Sequence, residues 1–172
     1  MPEFPDITIY IESLQSFVGG RTLDRARLFS PFVLRSVDPP LQEVEGKKIS
    51  GLRRIGKQIV WELEDEYFIV FHLMIAGRFH WKKPGAKPPG KIGLAAFDFS
   101  NGTLLLTEAS TRKRASMYCV RGHSNLKQFD RGGIEVIDVT IDEFRSVLRS
   151  ENHTLKRALT DPRLFSAIGN AY

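Results

Sequence analysis

One cysteine among 172 residues, Cys119, excludes a disulfide within this chain and any zinc site built from several of its cysteines. It fits a reducing compartment. No apolar run approaches the ~20 residues of a membrane-spanning helix. The acidic opening "MPEFPD" has neither a basic segment nor an apolar stretch of leader type, so no secretory signal is expected. Histidines are few and scattered. His72, His80, His123 and His153 share no ligand spacing with nearby acids, and each reads as a satisfied core or surface residue. There are no internal repeats. What is present is ordinary for a globular protein, 42% hydrophobic and 26% charged, which excludes a disordered or fibrous chain. The net charge of +5 favours a polyanionic partner, nucleic acid or an anionic membrane, although solubility alone would also account for it.

The pattern of apolar residues changes twice along the chain. From Asp6 to Val18, Ile7, Ile11, Leu14 and Val18 recur at helical spacing, with Pro5 before and Gly19-Gly20 after. From Lys47 to Val120 the pattern is that of strands: "KKISGLRRI", "QIVWELE", "YFIVFHLM", "GLAAFDF", "TLLLTEA" and "ASMYCV". Strands in series predict a β-sandwich or barrel. Phe68, Phe71, Phe79 and Phe97 lie in or at the ends of these runs and read as core, as does Cys119. The loop "KKPGAKPPGK", with four lysines, three prolines and two glycines, reads as exposed and solvated, or as a phosphate contact. After about Asp130 the spacing turns helical. Thr140 and Glu143 form a capping box, a second helix is predicted near Thr154–Thr160, and Asp161-Pro162 predicts the start of a third through "RLFSAIGNAY". That last helix has no capping signal at its end, so the domain is expected to continue beyond Tyr172. The expected division is 1–130 for the sandwich with its N-terminal helix and 131–172 for the start of a helical domain.

The opening raises a chemical possibility. Initiator methionine is removed efficiently before a small residue such as proline. Removal would leave Pro2 with a secondary α-amine, whose pKa near ~8 keeps far more of it neutral than a lysine. A neutral amine can attack a sugar C1′ or an aldehyde and form an iminium, an electron sink. Glu3 beside it could move protons. These residues alone are more often those of an ordinary processed N-terminus.

Four ordered motifs add to this. "MPEFPDITIYIESL" resembles the "MPELPE" opening of the formamidopyrimidine-DNA glycosylase / endonuclease VIII family of base-excision repair enzymes. "RRIGKQIVWEL" is similar to its "RR-GK" strand pair, with Lys57 as the lysine. "FHLMIAGRF" is similar to its "HLGMSG" segment. "TLKRALTDPRLFSAIGNAY" resembles the start of its helix–two-turns–helix module, closing on a "GIGN-Y" signature. The resemblance covers nearly the whole chain. It implies a two-layer β-sandwich with flanking helices, followed by a helical DNA-binding module. It implies a bifunctional glycosylase and β/δ-lyase acting on damaged double-stranded DNA, with Pro2 as nucleophile, Glu3 as acid and proton shuttle, and Lys57 paired with a phosphate. Asn170 would donate to a phosphate with Lys156 close by. Arg53, Arg54, Arg112, Lys113, Arg114 and Arg157 fall in or beside the same motifs. No cofactor is implied for these residues, since a zinc finger would belong to a C-terminal part. A monomer, intracellular and with DNA, is the expectation.

The sequence also departs from the family pattern. The family often fills the hole left by the extruded base with a methionine from "HLGM" and an Arg and Phe from "DPRRFG". Here Met74 stands one place early, Ile75 stands at the methionine position, and "TEASTRKRASM" replaces the second motif. Arg112 or Lys113 would match the arginine, and Ala115 stands where an aromatic is expected. Asp6 replaces the glutamate that usually ends the opening. Two other readings compete. A tautomerase using an N-terminal proline as base would need neither Lys57 nor the "IGNAY" ending. A non-catalytic DNA-binding fragment would bind DNA without covalent trapping.

Overall fold

The computed structural model describes residues 1–171. Tyr172, the end of "IGNAY", lies outside the described residues. Helix α1 (Phe4–Val18) comes first, then β1 (Arg25–Leu28), β2 (Ile49–Ile55), β3 (Gln58–Leu63), β4 (Tyr67–His72), β5 (Gly77–Lys82), β6 (Gly93–Phe99), β7 (Gly102–Glu108) and β8 (Ser116–Arg121). Helices α2 (His123–Leu126), α3 (Ile141–Leu148) and α4 (Leu155–Thr160) follow. The strands form two antiparallel four-stranded sheets, ordered β1-β6-β7-β5 and β2-β3-β4-β8. This is the two-layer sandwich with flanking helices that the motifs imply.

The sheets meet on an aromatic centre. Trp61 of β3 is fully buried and packs edge-to-face on Phe71, Phe97 and Phe99 at centroid distances of 4.9, 5.1 and 6.0 Å. Such pairs add about 0.5–1.5 kcal/mol each beyond the burial of area. Phe71 and Phe97 are buried in this core and Phe79 packs against it from its edge, whereas Phe68 is buried in a second cluster with Val60, Val70, Val120 and Leu126 rather than in the sandwich core its sequence context predicts. Cys119 is also core, 1% exposed, with its thiol pushed up to about 12 by burial and then by the charge of Glu43. Only the thiolate reacts with disulfide reagents. The native protein is therefore expected to resist a chromogenic disulfide at neutral pH that titrates the thiol fully in denaturant. Rapid labelling of the folded chain would contradict this placement.

Helix α1 starts two residues before the sequence-predicted Asp6. Glu3, in extended conformation, is its N-cap, Pro5 sits in the first turn, and Asp6 Oδ2 accepts the Glu3 N–H at 2.9 Å. Ile7, Leu14 and Val18 are its buried stripe. β1 ("RARL") and β5 ("GRFHWK") carry too much charge and polarity for apolar runs to reveal them; both are the sheet's edge strands. The capping box of α3 is present, with the Thr140 hydroxyl and the Glu143 carboxylate joined to each other's backbone N–H. Thr154 caps α4.

The predicted third helix does not form. Leu164 and Phe165 N–H turn back to the Asp161 carbonyl, and the backbone then pairs with residue 134 as an isolated bridge. Ala167 takes φ +60°, which ends any right-handed helix. The segment after Asp161 is thus an ordered turn, and its Gly169 and Ala171 N–H groups turn to a side-chain acceptor outside it. Residues 134–168 gather a separate apolar cluster around Ala158, Leu164 and Phe165.

Candidate functional site

The N-terminus and the "IGN" turn meet. Glu3 is 3% exposed, yet both its carboxylate oxygens have partners. Oε2 accepts the Gly169 N–H at 2.9 Å and Oε1 accepts the Ala171 N–H at 2.7 Å. The Phe4 N–H reaches the Ala167 carbonyl at 3.1 Å. Two amides therefore aim at one carboxylate across 166 and 168 residues of chain. A buried carboxylate held by charge-assisted bonds of this kind is fixed in orientation. Gly169 is required by space. A Cβ there would lie 2.3 Å from Glu3 Oε1 and 2.7 Å from Lys57 Nζ, so both charged groups converge on one point.

Lys57 sits in the two-residue turn between β2 and β3, where Ile55 pairs with Gln58 and Gly56 adopts φ +57°. It is half-buried. Burial lowers the pKa of its ammonium, and the Glu3 charge opposes that fall. Lys57 lines a cavity of about 520 Å³ with Met1, His72, Arg131 and Ser166 among its walls. His72 Nε2 and Gln58 Oε1 are buried there without a hydrogen-bond partner. His72 is thus not the satisfied residue its sequence context predicts. Its pKa is lowered by burial first, then by Lys57 and Arg131, so the ring is neutral near pH 7.

Pro2 is half-buried and lines a second cavity of about 290 Å³, together with Met1, Asp6, Tyr10, Ile75, Arg78 and Ala171. Met1 therefore stands between the two cavities. Met74 and Ile75 occupy the tip of the turn joining β4 and β5, not the interior of a strand. Met74 is half-buried with φ +55°, whereas Ile75 is 57% exposed and faces the Pro2 cavity. Of the two wedge candidates, only Ile75 lies with Pro2.

The basic residues divide. Arg112 and Arg114 are exposed. The Lys113 ammonium instead donates to the Glu108 and Ser110 carbonyls at 2.5 and 2.7 Å, and so closes its own loop. Buried Glu108 holds the other side of that loop by accepting the Arg114 and Ala115 N–H groups. Ala115 is 3% exposed and fills space inside the sandwich. Lys156 and Asn170 are exposed at the helical end. Arg53 and Arg54 are paired with acids, Arg53 with Glu62 at 2.5 Å and Arg54 with Glu135. Arg54 also donates to the Gly56 carbonyl and the Ser166 hydroxyl at 3.0 and 3.2 Å, with its guanidinium 4.7 Å from the Phe4 ring centre. It ties the Lys57 turn, the N-terminus and the helical segment together. Charge counting alone treats it as one more phosphate contact.

Comparisons with known proteins bear on the chain and its fold as a whole. The family model described as formamidopyrimidine-DNA glycosylase N-terminal domain matches residues 1–117. The chain is 25% identical over 176 residues to the formamidopyrimidine-DNA glycosylase of Mycoplasma genitalium, covering all of this chain and 62% of that protein. It is 28% identical over 179 residues to that of Protochlamydia amoebophila, covering 63% of it. It thus spans less than two thirds of these curated relatives' length. Among solved structures, MutM in complex with carbocyclic 8-oxo-G containing DNA superposes with a TM-score of 0.86 at 25% identity, over 98% of this chain and 64% of that one. The LlFpg protein with THF-DNA and an inhibitor shares the fold at a TM-score of 0.87 and 24% identity, again over 98% and 64%.

Proposed function

Because the chain belongs to the formamidopyrimidine-DNA glycosylase family, we propose that it is the catalytic portion of a DNA repair glycosylase with lyase activity, using Pro2 as nucleophile. The observation that carries this reading is the Glu3 carboxylate, buried between the Gly169 and Ala171 amides and next to both Pro2 and the Lys57 ammonium. A carboxylate held in this way serves as a positioned acid or base.

Once Met1 is removed, the Pro2 nitrogen attacks C1′ of a damaged deoxynucleoside. The bond from C1′ to the base breaks and the base leaves with a proton. Glu3 is suited to deliver a proton to the sugar or base and to take one up again. The Pro2 nitrogen gives up its proton, the C1′–O4′ bond opens as O4′ takes one, and the iminium left at C1′ acidifies C2′–H. Loss of that proton expels the 3′ phosphate, and a second elimination expels the 5′ phosphate. Lys57 supplies a cation beside the sugar, where a flanking phosphate must sit. The damaged nucleotide has to leave the base stack for C1′ to be reached, at a cost of a few kcal/mol. Ile75, exposed beside Pro2, is placed to occupy the vacated space. Asn170 and Lys156 on the helical side, with Arg112 and Arg114, are the proposed backbone contacts. On this reading residues 1–130 carry the chemistry and 131–172 begin a DNA-binding domain.

Borohydride trapping on duplex DNA carrying an abasic site, with intact mass measured on the same preparation, tests the reading. Met-free protein should form a covalent adduct that borohydride reduces, and protein retaining Met1, whose Pro2 nitrogen is an amide, should form none. Binding of the same duplex by fully processed protein without any adduct would instead favour the non-catalytic DNA-binding reading.

A further inference from the structure

Two exposed phenylalanines are left over by the site. Phe29 is 43% exposed and Phe32 76% exposed, on the segment that follows β1. Single exposed apolar residues are common, but this segment is pinned at both ends. The Phe29 and Ser30 N–H groups both bond to the Leu94 carbonyl, at 2.9 and 3.1 Å. The Met117 N–H bonds to the Val33 carbonyl at 2.7 Å, and the Arg35 N–H to the Met117 carbonyl at 2.9 Å. Val33 is buried. The turn therefore bridges the two sheets and presents Phe32 outward from a fixed backbone.

The turn lies beside the proposed catalytic end. Leu34 bridges to Met117 on the open edge of β8, and the neighbouring Ser116 pairs with His72, which lines the Lys57 cavity. Exposed cations surround it. The Phe29 ring lies 5.6 Å from the Arg27 guanidinium, which is itself largely buried and paired with Asp98, and which donates to the Ala86 carbonyl, so the exposed Lys87 follows next in the chain. Lys91 precedes the Gly93–Leu94 segment to which Phe29 is bonded. Arg35 and Arg114 flank the other side, each next to the start of β8. The lysine-rich loop is held against the sheet: Gly85 N–H donates to the Thr103 hydroxyl at 2.9 Å, and Pro88 packs on Gly93. Fixed aromatic faces set among cations are what sequence-tolerant binding of unpaired bases requires, stacking for the base and charge for the backbone.

We propose that Phe29 and Phe32, flanked by Lys87, Lys91, Arg35 and Arg114, form a stacking platform for unpaired DNA next to the catalytic end. The proposed action on DNA gives this platform its setting, but the test does not depend on it. Fluorescence anisotropy would measure binding of the full chain to a labelled oligothymidylate and to the same strand in a duplex. Phe32→Ala should weaken single-strand binding about 5- to 100-fold. It should leave duplex affinity, melting temperature and the salt slope unchanged, and Phe32→Trp should retain binding. Lys87→Gln with Lys91→Gln should flatten the single-strand salt slope by about 0.7 per lysine. Unchanged single-strand affinity in Phe32→Ala would overturn the proposal. So would an equal loss on duplex, a fall in melting temperature that Phe32→Trp does not restore, or an effect on self-association alone. Failure of borohydride trapping in a protein whose single-strand binding depends on Phe32 would remove the glycosylase reading and leave the platform standing.

Discussion

Glu3→Gln is expected to slow release of a damaged base by about 10²–10⁴-fold, the range lost with a positioned acid or base. The amide keeps the size of the carboxylate but cannot reproduce its bonds. Glu3 accepts two N–H groups, from Gly169 and Ala171. A glutamine has one acceptor oxygen, so its NH₂ would face a buried donor. An unsatisfied buried group of that kind costs about 1–3 kcal/mol, and a modest fall in melting temperature should accompany the kinetic loss. The two effects are separable. On an abasic duplex no base has to leave, so adduct formation should fall less than base release in single-turnover assays. Equal rates for the variant and its parent on both substrates would remove Glu3 from the mechanism.

The same substitution has a pH signature through Lys57. Burial already holds the Lys57 ammonium below the ordinary lysine value of 10.5, and the Glu3 charge partly restores it. Without that charge the pKa falls further. A phosphate needs the ammonium, so in Glu3→Gln the Lys57-dependent part of DNA affinity should disappear at a lower pH than in the parent. Stability runs the other way. A depressed folded-state pKa means that the unfolded chain binds the proton more tightly. The folded state is therefore penalised at low pH, and the penalty is relieved as pH rises through the folded pKa towards 10.5.

Much of the fold was legible because its signals are local. Six of the eight strands are apolar runs bounded by turn residues, and α1 and the Thr140 capping box follow from spacing alone. β1 and β5 escaped because edge strands carry charge on their open faces. The missing third helix is an override of local signals by distant partners. Asp161-Pro162 is a sound helix start, but the backbone beyond it pairs with Ile134 and gives its amides to Glu3. Pro2, Glu3 and Lys57 were nameable because they belong to motifs. The placement of His72, Arg54 and Gly169 was not, because it depends on surroundings far away in sequence. His72 differs from other histidines only in the cavity it faces. Arg54 differs from Arg53 only in that its carboxylate lies at Glu135 rather than across a hairpin at Glu62. Motif position alone also did not show that the Lys113 ammonium donates to two carbonyls of its own loop.

Gly169→Ala should separate the site from the fold most cleanly, with activity on damaged duplex lowered by about 10²-fold and only a modest fall in melting temperature. Gly169 does not have a positive φ, so alanine meets no backbone penalty there. The conflict is with the ends of two side chains, Glu3 Oε1 at 2.3 Å, Glu3 Cδ at 2.6 Å and Lys57 Nζ at 2.7 Å from the new Cβ. Such groups can swing aside without moving the sandwich core, so the cost to folding is limited to the one bond that Glu3 gives up, about 1–3 kcal/mol. What they lose is position. A real Cβ contact needs more than 3.0 Å, so the carboxylate must retreat by most of an ångström, away from the Gly169 amide that orients it. Misplacement on the scale of ~1 Å is enough to cost about 10²-fold in rate. The measurement is paired: single-turnover base release for the rate and thermal unfolding for the fold, on Met-free protein. A lowered rate with a melting temperature no lower than that of Glu3→Gln would tie catalysis to the convergence of Glu3 and Lys57 on Gly169. An unchanged rate would mean that the chemistry tolerates the carboxylate elsewhere, and the proton-shuttle role of Glu3 would lose its geometric basis.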